Sequence, residues 1–394
     1  MESRPLRILF VTPYVPATVR LRPFRIINQL AERNRITLAC LVQPVWESSY
    51  VKEVQPFCEM VYPVYPNRLL SYLNIIKTLP SYVPLSVAYS AAKEMREVIQ
   101  KVTRSSHFDL IHTEFIRTAQ YTMDIHGIPK VFDAVDSLTL AYQRAIHSKY
   151  TQLSHKMLAF IEWIKMRRYE PFVLHQYDYA LVSSPADQEF LSNHGPKVEV
   201  LPNGVELDYF YWSEKLEEED DTILFLGKMN YYVNIDSIFY FIRNIYPLIK
   251  QERPSVHLNI VGWNPTKAIR SLEKDPSITV VGGVPDLRPY LQKAKVSIAP
   301  MVSGSGIQNK ILQAMAVGTP VVSTSIATLA FHVSSGEQVL IADQPEEFAC
   351  AVVSLLRDAS LRKRMSINAR KYVEEYHDWE KIGARLDRIY RSII

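Results

Sequence analysis

Cysteine is scarce: Cys40, Cys58 and Cys350 are the only three in 394 residues, far apart in sequence. They have no metal-ligand spacing and form no even set for pairing. A disulfide framework and a cysteine-zinc module are excluded, and a reducing compartment is expected. No uninterrupted apolar run is long enough to span a bilayer. The opening segment MESRPLRILFV enters a strand directly, without the apolar core and small-residue cleavage site of a signal peptide. A cytoplasmic location is therefore expected, at most peripheral to the inner face of the membrane. The first strand-to-helix turn, TPYVPATVRLRPFR, contains no glycine, which counts against a nicotinamide dehydrogenase fingerprint. No acidic D-x-D cluster stands out, so neither a metal nor a resident cofactor is expected. Net charge is only +4. Residues 1–200 carry 23 Lys and Arg against 18 Asp and Glu, leaving 22 against 23 in the remainder. The basic bias of the first half is too weak for a nucleic-acid partner.

The chain is 47% apolar and 22% charged, and long enough for two cores. In the first half strands alternate with helices: strands at 7–11, 36–42, 108–112, 130–135 and 179–183, with helical spacing at 24–31, 91–102 and from 136 to about 174. Asn203-Gly204 is a turn signal. An acidic run, 217–221, follows and reads as a solvated loop. The alternation then restarts, with strands at 222–227, 257–262, 278–282, 296–300 and 339–341 and helices at 236–250, 287–294, 345–356 and 379–393. Such alternation implies parallel sheets covered by helices, with ligands at the C-terminal strand ends.

The most informative run is Pro300–Thr324. A loop of Ser303, Gly304, Ser305 and Gly306 enters a helical pattern that stops near Gly318, ahead of the strand residues Val321 and Val322. Unpaired N–H groups and the helix dipole make such a helix start a site for anions, here the phosphates of a nucleotide. Lys310 falls about one turn inside that helix. Gly227-Lys228 and Val261-Gly262 end strands, where a small residue admits a ligand and Lys228 can reach phosphate. Either lysine could also be an ordinary surface residue. Arg20, Arg22 and Arg25 crowd the first turn. Arg22 is the favoured candidate for a phosphate or carboxylate, against a solvated helix-start arginine. Asp133 and Asp136 end a strand, where carboxylates bond sugar hydroxyls, although Asp136 with Ser137 also reads as a helix cap. His112 is expected to be structural. Between Arg144 and Arg168, basic residues interleave with Leu153, Met157, Phe160, Ile161 and Ile164. This suits a basic amphipathic helix on anionic lipid, but a helix facing the core with a wet basic back is the simpler expectation.

The stretch from Pro300 to Val322, P-x-x-x-G-x-G-I-x-x-K-x-L-x-A-M-A-x-G-x-P-V-V, resembles the donor-nucleotide motif of GT-B glycosyltransferases of family 4. VEVLPNGVELDYF is similar to that family's linker, and LFLGKMNYYVNIDSIFYFIRNIYPLI to its exopolysaccharide-biosynthesis subgroup. HDWEKIGARLDRIYRSI resembles its closing helix, which crosses back onto the N-terminal domain. The resemblance implies an α/β fold of two Rossmann-like, doubly wound domains facing across a cleft. Residues 1–200 with the helix 378–394 would form the acceptor side, and 201–377 the nucleotide-sugar side. It implies retaining, metal-independent transfer from a nucleotide sugar to a glycan or lipid-linked acceptor. By the same resemblance, Lys228 contacts donor phosphates, while Lys310, Gly306 and Ile307 form the pyrophosphate loop. Asp136 falls near the donor-sugar contact, and Arg22 near the reacting centre. Ser305 and Gln313 stand where many members carry a Glu-x7-Glu pair, and Gln313 can still accept a bond from a ribose hydroxyl. The second basic phosphate ligand would fall near Val233 or Asn234, and Pro16-Ala17 replaces the usual Gly-Gly. These departures motivate a second reading, a non-catalytic GT-B-like subunit that binds sugar or nucleotide.

Overall fold

The computed structural model describes residues 4–147, 153–212, 221–304 and 306–394. The chain divides into two units. One comprises 1–143, 157–203 and 379–394, the other 144–156 and 204–378.

The first unit is built on a parallel sheet of β1 (Arg7–Thr12), β2 (Arg35–Leu41), β3 (Met60–Val64), β4 (Leu110–Glu114), β5 (Lys130–Val135), β6 (Tyr179–Val182) and β7 (Lys197–Val200). Its order is β3-β2-β1-β4-β5-β6-β7. Residues of β1, β4 and β5 are buried almost without interruption, as expected of strands covered on both faces. The helix Leu21–Ala31 buries Phe24, Ile26, Ile27 and Leu30 against this sheet. The closing helix Trp379–Ile393 returns to the same core through Ile382, Leu386, Ile389 and Tyr390. There Asn34 donates to Asp387 at 2.8 Å, and Tyr390 Oη lies 2.6 Å from His112 Nδ1.

The second unit is built on β8 (Thr222–Leu226), β9 (His257–Val261), β10 (Ile278–Gly282), β11 (Val296–Ala299), β12 (Val321–Ser323) and β13 (Leu340–Ile341), in the order β10-β9-β8-β11-β12-β13. Strand order reverses between β1 and β4 in one sheet and between β8 and β11 in the other. These are the switch points where open parallel sheets bind ligands. The helical stretch read at 236–250 is interrupted: an α-helix at Tyr232–Tyr240, a π turn at Phe241–Ile245, then Tyr246–Glu252. Pro247 offers no N–H to continue a regular ladder there.

The helix Leu153–Leu174 faces the core, as expected, but through Met166, Tyr169, Val173 and Leu174 of its second half. Of the apolar residues expected on that face, Leu153, Met157, Phe160, Ile161 and Ile164 are exposed, while Glu162, Lys165 and Glu170 are buried. Lys149 of the same basic stretch lies outside the described residues, as do 217–220 of the acidic run.

Candidate functional site

In the second unit, β8 ends at Leu226, just before Gly227, and β11 at Ala299, and the register places Phe225 beside Ile298. The Gly227-Lys228 turn and the Pro300–Gln308 loop therefore flank the β8/β11 switch point. Gly262, at the end of β9, must be glycine: its φ is +156°, and an added Cβ would lie 1.6 Å from the Gly227 carbonyl oxygen. The backbone stays tied across these ends, with Gly227 N donating to Val261 O at 3.2 Å and Gly262 N to Gly282 O at 2.8 Å.

Gly304 (φ +118°) and Gly306 (φ +72°) turn the chain into the helix Asn309–Val317. Its N-cap residue, Gln308, makes no side-chain cap bond among the described residues, and a helix start leaves backbone N–H groups towards the loop. Ser303 is buried, and its Oγ has no partner among the described residues. Ile307 and Gln313 are half-buried, and Ser305 lies outside the described residues.

Lys310 is buried, with its ammonium over the Phe225 ring at 4.7 Å and 3.6 Å from Met301 Sδ. Its only close oxygen among the described residues is Asn234 Oδ1, at 2.7 Å. Burial without a counter-charge lowers its pKa to about 7. Asn234 in turn donates to the Lys228 carbonyl at 3.0 Å, which fixes its oxygen towards Lys310. One amide thus joins two lysines from different elements. The Lys228 side chain is exposed.

One group here escaped the sequence reading. Trp263, directly after Gly262, is 63% exposed, and its ring lies so close to Gly283 that a Cβ there would meet it at 2.5 Å. Asn264 follows with φ +56°. The Gly-Trp-Asn run at a strand end was the available signal.

In the first unit, β4 and β5 both end in strained residues. Phe115 has φ +65° with ψ 147°, and Val135 has φ +64° beneath a 2.8 Å bond from Asp136 N to Ala134 O. Side-chain-bearing residues hold such conformations only where the surroundings over-determine them, most often at functional sites. Asp136 accepts from Ser183 Oγ at 2.8 Å, and burial, with Asp187 nearby, raises its pKa to about 6. The N-capping role falls instead to Ser137: its backbone N–H bonds Asp187 at 3.0 Å, and its Oγ accepts from Leu140 N at 3.3 Å.

Arg22 turns its guanidinium inward. It donates to both oxygens of Asp133, at 2.9 and 3.1 Å, to the Leu201 carbonyl at 2.9 Å and to Asn203 Oδ1 at 2.7 Å. Both members of this ion pair are buried. Glu114 lies beside Asp133 in the sheet register. Burial, then repulsion from Asp133, pushes its carboxyl well above the usual range, and its Oε2 has no partner among the described residues. His112 stacks on Phe10 at 4.1 Å and is held neutral by burial and by Arg22, its pKa falling to about 3. Its Nε2 has no hydrogen-bond partner among the described residues.

Comparison with known proteins gives this geometry a setting. Residues 220–358 match the family described as glycosyl transferases group 1. An uncharacterized 44.6 kDa protein in the cps region of Klebsiella pneumoniae is 22% identical over 337 residues, 84% of each chain. A phosphatidyl-myo-inositol mannosyltransferase of Mycolicibacterium smegmatis is 26% identical over 202 residues, 49% of this chain and 51% of the mannosyltransferase. The match thus spans only about half of that enzyme. Among solved structures, Anabaena HepE in complex with UDP superposes with a TM-score of 0.69 at 14% identity, over 98% of this chain and 100% of HepE. Sucrose-phosphate synthase from Thermosynechococcus elongatus gives 0.68 at 17%, over 98% of both. The chain has the fold of GT-B glycosyltransferase structures, two Rossmann-like parallel-sheet units, and residues 220–358 of its second unit match the glycosyl transferases group 1 model.

Proposed function

We propose that this protein transfers a sugar from a nucleotide-sugar donor to a glycan or lipid-linked acceptor, with retention, in the assembly of a cell-surface polysaccharide. The observation that carries the reading is the Lys310–Asn234–Lys228 connection beside a glycine-entered helix start. Position 234 holds no cation, and Lys310 supplies one to it from another helix. UDP is the proposed nucleotide, because a protein of the same fold is complexed with it. The polysaccharide setting rests on the cps-region relative.

In the proposed reaction the acceptor hydroxyl oxygen bonds to the anomeric carbon as the carbon–oxygen bond to the diphosphate breaks on the same face. The hydroxyl proton passes to the departing phosphate oxygen. Charge developing on that phosphate is met by Lys228, Lys310 and the Gly306 and Ile307 amides, fixed groups that need no rearrangement. Trp263 offers a ring on which the base stacks, and Gln313 a neutral acceptor for a ribose hydroxyl. Asp136 accepts a bond from a hydroxyl of the sugar. Arg22 positions Asp133 and the Leu201–Asn203 segment. No metal or resident cofactor is assigned a role.

The second reading, a non-catalytic nucleotide- or sugar-binding subunit, rests on Ser305 and Gln313 in place of glutamates. Thermal stability against UDP, GDP, ADP and their sugars separates the outcomes, since a ligand of the folded state raises the midpoint by mass action. A base-selective shift that is lost in Lys310→Ala supports the donor site. No shift with any nucleotide, for a folded protein, sinks it.

A further inference from the structure

The helix Arg68–Thr78, RLLSYLNIIKT, buries only Ser71. Leu69 is 74% exposed and Ile76 62%, with Tyr72 and Leu73 also in solvent. Helices of globular proteins bury one apolar stripe, and this one leaves its leucines and isoleucines without cover. Beside it, the helix from Met157 sends Met166, Tyr169, Val173 and Leu174 into the core but leaves the apolar residues of its first turns outside. Its buried charges serve its neighbours: Glu162 accepts from the Leu85 and Ser86 amides at 3.2 and 2.8 Å. Lys165 donates to the Thr78 and Leu79 carbonyls at 2.9 and 3.1 Å, capping the first helix. These polar groups tie the first helix to the second, which is anchored in the core by Met166, Tyr169, Val173 and Leu174, while Met157, Phe160, Ile161 and Ile164 point to water. Every exposed charge on the two helices within this unit is positive: Arg68, Lys77, Arg167 and Arg168. Next to them opens a mostly apolar cavity of about 580 Å³, lined by Tyr82, Val87, Met123 and Phe172, with Arg96 and Arg168 among its walls.

We propose that these two helices form a docking surface for an anionic phospholipid bilayer, with apolar side chains entering the acyl boundary and arginines and lysines at the headgroups. The chemistry favours lipid over a second copy of the chain. A two-fold contact would set four uncompensated cations against the same four. A cavity that is apolar with guanidinium groups in its wall suits one hydrocarbon chain beside its phosphate. Apolar area inserted at the interface, plus attraction to anionic headgroups, is what holds an interfacial helix. This goes beyond sugar transfer and stands or falls separately from it.

The test is flotation of the full chain with phosphatidylcholine vesicles, with and without about one third phosphatidylglycerol. Binding is expected to the anionic vesicles only and to weaken as salt rises. Leu69→Glu with Ile76→Glu, and separately Ile161→Glu with Ile164→Glu, should each abolish it. Arg168→Gln should weaken it about fivefold, the value of one basic residue near such a surface. Because these side chains meet solvent, thermal midpoints should hold, and Lys310→Met should float like the wild type. Failure of the wild type to float, equal binding to neutral vesicles, or unchanged binding in both double variants would overturn the proposal. So would a concentration-dependent dimer in sedimentation that the same substitutions dissolve while no vesicle is bound.

Discussion

In the proposed donor site, Lys310 should make affinity depend on pH. Its ammonium is buried with one amide oxygen and an aromatic ring for company, and its pKa falls to about 7. A pyrophosphate bound at the adjoining loop favours the charged form, so binding takes up a proton wherever the free lysine is neutral. The apparent dissociation constant then grows as 1 + 10^(pH − 7): about 2-fold at pH 7 over its acid limit, about 11-fold at pH 8 and about 100-fold at pH 9. Binding thus weakens by about 1 kcal/mol between pH 7 and 8, and the slope approaches about 1.4 kcal/mol per unit above that. The probe should be an intact nucleotide sugar, whose pyrophosphate does not titrate in this range. Calorimetry in buffers of different ionisation enthalpy should show uptake approaching one proton at pH 8.5. Lys310→Met should bind weakly at every pH and take up none. Wild-type affinity that is flat from pH 6 to 9 would refute the reasoning.

The same burial has a cost in stability. The unfolded chain binds the extra proton between pH 7 and the ordinary lysine value near 10.4, so native stability rises with pH through that window. Lys310→Met should flatten this rise and raise the melting midpoint at pH 7, while lowering turnover. Lys228→Ala, at an exposed site, should leave the midpoint unchanged and lower kcat about 100-fold, the scale of losing one fixed stabiliser of developing charge. Because Asp136 titrates near 6, kcat/KM should rise with pH through about 6, and in Asp136→Asn that acid limb should vanish. Gly262→Ala forces a methyl against the Gly227 carbonyl and should destabilise the fold by about 3 kcal/mol in urea titration. Tyr390→Phe removes the partner of buried His112 Nδ1, at about 1–3 kcal/mol, and should loosen the closing helix to hydrogen exchange.

The parallel, two-sheet plan was readable because its central strands are continuous apolar runs. RILFVT, KVFDAV and TILFL are buried nearly throughout and flanked by helical periods. The edge strands of the first sheet were not readable. Met60–Val64 holds a proline and half-exposed residues, and Lys197–Val200 alternates charge with valine. The helix Arg68–Thr78 escaped because its apolar residues, at 69, 70, 72, 73, 75 and 76, spread over more than half of its circumference and so blur a single helical stripe. At the site, the glycine loop and both lysines were legible as residue types. Their connection through Asn234 was not, because residues 228, 234 and 310 meet only when β8 and the helix Asn309–Val317 come together. Arg22 was legible as the favoured cation for a phosphate or carboxylate, but not in its partner: Asp133 lies 111 residues away, as a chain pattern cannot tell.

A crystal structure of the protein with UDP or a UDP-sugar is the most direct test of the central claim. The account predicts the diphosphate at the Gly304–Gln308 loop, with oxygens within about 3.2 Å of the Gly306 and Ile307 amides and of Lys228 Nζ. It also predicts the Asn234–Lys310 bond nearby and the uracil against Trp263. Nucleotide bound elsewhere, or seated at the loop while neither lysine approaches the phosphates, would contradict it.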